Sequence, residues 1–200
     1  MSEVSILIPI YNRERFIAKC LVSCIGQTFG DIEIICYDDG SSDKSAEIVR
    51  AYAKNDKRIR LIVGGMNKGI PNAYNQLLDA CKSKYACLLG SDDQSSVHRV
   101  AEQLSYIKCV KSPVVFSYGK AFIDRIPDEL YKCDANATSC SLRPYGSAFF
   151  EVSMVPKFKA LHNFNNEGFP TTVGGSDAIW LREILLRYWP GKRFSNMSRL

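Results

Sequence analysis

The most restrictive feature of this sequence is an alternation of short apolar runs with amphipathic helical patterns between residues 4 and 110. The apolar runs are rich in β-branched residues, which is typical of strands buried on both faces. We predict strands at residues 4–10, 31–37, 60–63 and 85–89. Strands that alternate with helices form a mostly parallel central sheet with helices on both faces, so the fold class is α/β and the N-terminal half is Rossmann-like.

The helices between these strands are predicted from apolar residues that recur with a helical period. Their apolar faces are expected at Phe16, Ile17, Cys20, Leu21 and Cys24, at Ala46, Val49, Tyr52 and Ala53, at Ile70, Ala73, Leu77 and Cys81, and at Val97, Val100, Ala101, Leu104 and Ile107.

Beyond residue 110 the pattern becomes more irregular. We predict strands at 113–123 and 146–152, a long loop at 162–175, and a final amphipathic helix that Asp177 opens. The length fits a single domain spanning residues 1–200, with halves at 1–110 and 111–200. We also expect that the chain is the first module of a longer polypeptide.

Polar or acidic turns follow three of the predicted strands, at Tyr11-Asn12, Asp38-Asp39 and Asp92-Asp93. The carboxyl ends of parallel strands meet at one edge of the sheet, which is where α/β folds bind ligands. Carboxylates suit Mg²⁺ or Mn²⁺, which bridge them to substrate phosphates. The pattern therefore predicts a metal-diphosphate site, although capped turns would use the same residues.

Five residues near these turns carry local predictions. Pro9 is expected to end the ladder pairing of the first strand, because proline has no N–H to donate. Asn12 is expected to cap the first helix, and Ser42 or Asp43 the second. Gly40 permits a sharp turn after the second strand.

Composition narrows the classes of partner and compartment. Apolar residues make up 46% of the chain and charged residues 24%, and the net charge of +5 comes from scattered basic residues. This charge suits an anionic ligand or peripheral contact with an anionic membrane, but not nucleic acid. The eight cysteines include no C-x-x-C pair, and most lie in apolar segments. We therefore expect a reduced, cytoplasmic protein; its oligomeric state stays open.

Four motifs in order resemble the family 2 glycosyltransferases, which have the GT-A fold of nucleotide-diphospho-sugar transferases. The resemblance is strong over residues 3–107 and thins afterwards. The motifs are Ser5-Ile6-Leu7-Ile8-Pro9-Ile10-Tyr11-Asn12, Tyr37-Asp38-Asp39-Gly40-Ser41-Ser42-Asp43, Asn67-Lys68-Gly69 with Ala73 and Asn75, and Leu89-Gly90-Ser91-Asp92-Asp93. The resemblance implies that residues 1–110 bind a nucleotide sugar and that residues 111–200 bind the acceptor.

The resemblance also implies roles for individual residues on the donor side. The nucleotide pocket would be lined by Pro9, Tyr11 and Asn12. Asp39, and with it Asp38, would accept hydrogen bonds from the base, typically the imide N–H of uracil. The remaining donor contacts would come from Asn67, Gly69, Ser91 and Asp93.

The chemical step follows from the same resemblance. Asp92 would bind Mn²⁺ or Mg²⁺, which neutralises the diphosphate as UDP leaves. Asp177 would be the general base that deprotonates the acceptor hydroxyl of a glycan or lipid-linked glycan. The sugar would then move from a UDP-sugar donor by a single displacement that inverts the anomeric centre. His162 is a further candidate metal ligand.

Three departures from the family pattern keep other functions open. Gly90 replaces the first acid of the Asp-x-Asp motif, Ser176 replaces a glutamate, and Tyr74 stands where a basic residue is common. These changes allow a retaining enzyme or a nucleotide-sugar-binding module with little turnover. Phosphoryl transfer is disfavoured because Lys120 is the only candidate phosphate-binding lysine, and nucleotidyl transfer because no Gly-rich basic loop follows the first strand.

Overall fold

The computed structural model describes residues 1–112, 114–116 and 148–155, and the strands of this part form one sheet with helices on both faces. The strands are β1 (Val4–Ile10), β2 (Ile32–Asp38), β3 (Ile59–Val63), β4 (Tyr85–Leu88), β5 (Val114–Phe116) and β6 (Ala148–Glu151). The helices are α1 (Ile17–Ile25), α2 (Ser45–Asn55), α3 (Ile70–Ala80) and α4 (Arg99–Val110), and a short 3-10 turn, Val152–Met154, follows β6.

The strand order is β3-β2-β1-β4-β6-β5, with β1 and β4 at the centre. Strands β1 to β4 pair in parallel, whereas β6 runs antiparallel to both β4 and β5. The predicted α/β class with a mostly parallel sheet is thus confirmed. This topology brings the carboxyl ends of β1, β2 and β4 to one edge of the sheet.

The sheet separates two apolar cores, because alternate side chains of each strand point to opposite faces. One core joins β1, through Ile6 and Ile8, to helices α1, α2 and α4. The other joins the opposite face of the same strand, through Leu7, to α3. In β6, Phe149 enters the first core and Phe150 the second.

The prediction that Pro9 ends ladder pairing is correct for one side of β1 only. Pairing with β4 ends at Leu7, whose carbonyl accepts the N–H of Leu89 at 3.1 Å. Pairing with β2 continues to Ile10, whose carbonyl accepts the N–H of Asp39 at 2.8 Å. Alternate residues of a strand bond to opposite neighbours, so proline costs no hydrogen bond on the β2 side.

Three helix starts and one helix face differ from the prediction. Helix α2 has Lys44 as its N-cap residue, so neither Ser42 nor Asp43 takes that position. Ile70, the first residue of α3, is 57% exposed rather than buried. Helix α1 begins at Ile17 with Phe16 as its N-cap residue, so Asn12 does not cap it. Helix α4 begins at Arg99, and Val97 precedes it with 45% of its surface exposed. Within the described residues no helix is long and apolar enough to cross a membrane. The predictions for Lys120, His162, Ser176 and Asp177 lie outside the described residues.

Candidate active site

A cavity of about 410 Å³ opens at the carboxyl edge of the parallel strands. It takes residues from the ends of β1, β2 and β4 and from the start of α3. Among the site residues predicted from the sequence, eight line it: Pro9, Tyr11, Asp39, Asn67, Gly69, Ser91, Asp92 and Asp93. Asn12, which is exposed, and Asp38, which is buried, are not part of the lining.

Asn12 fixes the shape of the loop that follows β1. Its backbone has a φ of 52°, in the left-handed region that asparagine tolerates better than most residues. Its N–H donates to Ser41 Oγ at 2.9 Å, and its Oδ1 accepts the N–H of Ser42 at 2.9 Å. Asn12 therefore ties this loop to the one after β2 and leaves Tyr11, 42% exposed, at the cavity.

The adjacent carboxylates Asp38 and Asp39 are both buried but have different partners. Asp38 accepts a short hydrogen bond from the hydroxyl of Ser41 and so stabilises its own turn. Asp39 reaches the neighbouring loop, where its carboxylate accepts the N–H of Lys68 at 3.0 Å and that of Gly69 at 2.8 Å. Only Asp39 contributes to the cavity wall.

Glycine allows the Asp39 turn and the loop at 64–69 to approach closely. Gly40 has a φ of 76°, which confirms the predicted sharp turn. A Cβ atom on Gly40 would lie 2.9 Å from the backbone of Met66 and Asn67, too close for any other residue. Asn67 Oδ1 accepts the N–H of Gly69 at 2.9 Å, which completes this part of the wall.

The acidic loop that leaves β4 presents two carboxylates beside a glycine. A turn closes where the N–H of Asp93 donates to the carbonyl of Gly90 at 3.0 Å. A Cβ atom on Gly90 would lie 2.7 Å from Asp93 Oδ2 and 3.1 Å from Asp92 Oδ1. The space that a side chain at position 90 would enter is therefore filled by both carboxylates.

Desolvation raises the pKa of Asp93 above its ordinary value, and the negative charge of Asp92 acts in the same direction. Although Asp93 as a residue is exposed, its carboxyl group turns inward against Gly90. The positive charge of Arg99 and a backbone hydrogen bond at Gly90 oppose the rise in pKa. Asp92, whose side chain is 51% exposed, forms an ion pair instead, with Arg13.

Side chains beneath the acidic loop hold it against α1. The thiol of Cys20 donates to the carbonyl of Gly90 at 3.4 Å. Buried Arg99 donates through Nη2 to the carbonyl of Leu88 at 2.9 Å and through Nε to Gln103 at 3.0 Å. Buried Gln27 donates to the carbonyl of Ser96 at 2.7 Å. Such buried, satisfied polar groups give a loop a defined position.

Arg13 is a site residue that the sequence analysis missed. Its Nε lies 3.4 Å from Asp92 Oδ2, and its Nη1 donates to the carbonyls of Tyr11 and Asn12 at 3.2 Å and 3.1 Å. Arg13 also lines the cavity. The sequence did hold one indication of this role. Arg13 directly follows Tyr11-Asn12, and a basic residue at that point faces the acidic loop after β4 across the edge of the sheet.

The donor set of the acidic loop fits Mg²⁺ or Mn²⁺. These ions bind one or two carboxylates and complete their coordination with water and substrate phosphates. Asp92 and Asp93 provide two such carboxylates at the cavity. In the described part of the chain no group of three or more His, Cys, Asp or Glu side chains could hold a metal ion by itself.

A second cavity, of about 390 Å³, lies at the opposite edge of the sheet. Its lining is basic, and its two arginines form ion pairs: Arg58 Nη2 lies 2.7 Å from Asp56 and Arg60 Nη2 lies 3.8 Å from Glu33. It is remote from the acidic loop and from every residue predicted to bind the donor.

Comparison with known proteins agrees with this geometry. The profile of glycosyl transferase family 2 matches residues 5–168, which is most of the chain. The chain belongs to glycosyl transferase family 2. The mannosyltransferase PcManGT of Pyrobaculum calidifontis, solved with GDP-Man and Mn²⁺, superposes with a TM-score of 0.68 at 19% identity. That match covers 93% of this chain and 52% of PcManGT, and it shows the GT-A fold.

Relatives in sequence are also glycosyltransferases by name. An uncharacterized glycosyltransferase of Haemophilus influenzae is 34% identical over 125 residues, or 62% of this chain and 49% of that protein. The Escherichia coli UDP-Glc:alpha-D-GlcNAc-diphosphoundecaprenol beta-1,3-glucosyltransferase WfaP is also 34% identical, over 62% of this chain and 48% of its own length. This family 2 chain thus spans about half the length of these relatives.

Proposed function

We propose that this domain transfers a sugar from a UDP-linked donor to the hydroxyl group of a glycan or lipid-linked glycan, with a divalent cation and with inversion at the anomeric carbon. One observation carries the proposal. A single cavity at the sheet edge brings Asp39 together with Asp92 and Asp93, in a chain that belongs to family 2. Residues 1–110 would form the donor half and residues 111–200 the acceptor half.

The base would bind between Tyr11 and Asp39. Each carboxylate oxygen has two acceptor positions, so Asp39 can bind the N–H groups of Lys68 and Gly69 and still accept an imide N–H from uracil. Pro9 and Asn67 would border the same pocket. UDP is supported by the name of WfaP, whereas PcManGT, with its GDP-Man, is similar in fold alone.

The diphosphate would lie at the acidic loop. Asp92 would hold the metal ion, with Asp93 and Ser91 beside it. A bound Mg²⁺ or Mn²⁺ supplies positive charge that stabilises the departing UDP. The guanidinium of Arg13 is within the same cavity and can add a charge-assisted hydrogen bond to a phosphate oxygen.

The acceptor step is assigned to Asp177. As a general base it would remove the proton of the acceptor hydroxyl while that oxygen attacks the anomeric carbon opposite UDP. Inversion follows from this single in-line displacement. Replacing Asp177 with Asn should abolish transfer while UDP affinity stays within about twofold of the unmodified chain, because the donor pocket is untouched.

The decisive experiment is a thermal-shift and hydrolysis screen of nucleotide sugars with Mn²⁺. We expect a UDP-sugar to raise the melting temperature only with metal present, and Asp92→Asn to remove both that rise and hydrolysis. Glu47→Gln, an equal loss of charge at an exposed position of α2, should leave both unchanged. If no UDP-sugar shifted the melting temperature in a metal-dependent way, the proposal would be wrong.

A second candidate function is donor binding without turnover, and Gly90 favours it because one family carboxylate is missing. Metal-dependent binding of UDP-sugars with no product from a broad acceptor panel would support that alternative. If the enzyme instead retains configuration, NMR would show that the first-formed product has the same anomeric configuration as the donor sugar. Cytoplasmic location and contact with a membrane surface stay predictions.

A further inference from the structure

The metal-binding carboxylate already has a cationic partner from its own chain. Arg13 Nε lies 3.4 Å from Asp92 Oδ2, and the two side chains are 42% and 51% exposed. The pair therefore stands at the mouth of the cavity, where a divalent cation would have to approach Asp92.

The backbone at Arg13 is held in place by hydrogen bonds, so the arginine side chain starts from a defined point beside the site. The N–H of Arg13 donates to the hydroxyl of Ser45 at 2.8 Å, and Ser45 is completely buried at the start of α2. The next N–H, that of Glu14, donates to Asp43 Oδ2 at 3.0 Å. The pair is therefore separated by rotation of a side chain rather than by movement of the Arg13 backbone.

No other described cation replaces Arg13 in this pairing. The second arginine near the loop, Arg99, is buried, and its Nε and Nη2 donate to Gln103 and to the carbonyl of Leu88. Position 90 contributes no carboxylate, because it is a glycine. A divalent cation that arrives without nucleotide thus meets Asp92 already paired with Arg13.

We propose that Arg13 makes metal binding at this site depend on the donor. Without nucleotide, its guanidinium competes with the cation for Asp92, so the cation binds weakly. With nucleotide, the diphosphate offers the guanidinium a more negative partner, and Asp92 becomes free for the metal. Arg13 is then a positioning residue that favours joint binding of donor and metal; this inference rests on the proposed function.

The test is a titration with Mn²⁺ alone, in which electron paramagnetic resonance measures free Mn²⁺. Arg13→Gln should bind Mn²⁺ about threefold to tenfold more tightly, since a partly exposed ion pair and one nearby positive charge are removed. Arg13→Lys, which keeps the charge, should stay close to the unmodified chain. Arg15→Gln is the matched control, because Arg15 is exposed and its guanidinium lies over the ring of Phe16.

Two results separate the failure of this inference from that of the proposed function. If Asp92→Asn weakens Mn²⁺ binding but Arg13→Gln leaves it unchanged, Arg13 does not compete for Asp92 and the inference is wrong. If Asp92→Asn itself has no effect on Mn²⁺ affinity, the metal assignment falls, and the inference falls with it. If the inference is right, Arg13→Gln should also weaken UDP binding at saturating Mn²⁺ by roughly threefold or more, because the charged hydrogen bond to the diphosphate is lost.

Discussion

Neighbouring residues with the same side chain act differently at this site. Asp38 and Asp39 are consecutive and both buried, yet Asp38 binds Ser41 within its own turn and Asp39 binds the backbone of Lys68 and Gly69. At the end of a strand, successive side chains point to opposite sides. Only Asp39 therefore reaches the cavity, and it holds a second loop in position as it does so.

This difference predicts unequal effects of two conservative substitutions. Asp39→Asn replaces one carboxylate oxygen with an NH₂ group. If the amide oxygen keeps the bonds of Oδ2 to Lys68 and Gly69, the NH₂ group stands in place of Oδ1, against the N–H of Lys68, and leaves no acceptor there for the imide N–H of uracil. UDP affinity should therefore fall by about tenfold or more. Asp38→Asn keeps an acceptor for Ser41 and should change UDP affinity by less than about threefold. Isothermal titration with UDP and Mn²⁺ measures both; equal losses would contradict the assignment.

At the scale of secondary-structure elements, hydrogen bonds between neighbouring loops hold those loops in position. The loop after β1 and the loop after β2 exchange hydrogen bonds in both directions. Asp43 accepts the N–H of Glu14 and that of Ser45, and Glu14 accepts the N–H of Lys44 at 3.0 Å. Asp43 precedes Lys44, the N-cap residue of α2, and thus bonds both to the first residue of α2 and to the neighbouring loop.

A hydrogen-bonded turn also joins α2 to β3. Asp56 accepts the backbone N–H of Arg58 at 2.9 Å and its Nη2 at 2.7 Å, while the same Nη2 donates to the carbonyl of Ile25 at 3.1 Å. Hydrogen bonding to Arg58 lowers the pKa of Asp56 below its ordinary value. The turn therefore fastens the end of α2 to the end of α1.

The stability of this turn should depend on pH. Because the pKa of folded Asp56 is lowered, its contribution is complete above the ordinary aspartate pKa of about 3.9 and is lost as the pH falls below that value. Asp56→Asn should lower the free energy of unfolding by about 1 kcal/mol at neutral pH.

Urea denaturation at a series of pH values tests this expectation. The difference in free energy of unfolding between Asp56→Asn and the unmodified chain should become smaller as the pH falls below about 3.9. Glu47→Gln should show no comparable gap at neutral pH. A gap that stayed constant down to acid pH would exclude the ionised carboxylate as its source.

At the scale of the whole molecule, the described fold depends on a strand far along the chain. Strand β6 lies between β4 and β5 and sends Phe149 into one core and Phe150 into the other. Both side chains are completely buried, and the ring of Phe149 stacks on Tyr85 with centroids 6.0 Å apart. The sheet and both cores that residues 1–110 form therefore also depend on residues 148–151.

Truncating either phenylalanine should destabilise the entire domain. Phe149→Ala is expected to lower the free energy of unfolding by about 3–5 kcal/mol, through lost burial and the cavity left behind. Tyr106→Ala removes an aromatic side chain that is 60% exposed on α4 and should change stability by less than about 0.5 kcal/mol. Chemical denaturation compares them, and a small effect at Phe149 would mean that β6 is dispensable.

Local sequence patterns determined the succession of strands and helices and the residue types at the ends of the strands. The period of apolar side chains and the chemistry of turns act over a few residues, so β1 to β4 and most of the cavity lining followed from them. Helix starts were less certain, because the Tyr11-Asn12 loop and Val97 are held by distant partners rather than by their own helices. The carbonyl of Val97, for example, accepts the N–H of Thr28 at 2.8 Å.

Only the tertiary structure decided which polar residues meet. Asp39 binds backbone groups 29 and 30 residues away, and Arg13 pairs with Asp92 across the edge of the sheet. The same is true of β6, whose antiparallel place beside β4 no local pattern indicates. These partners depend on strand order and register, because side chains distant in sequence become neighbours only when the sheet assembles.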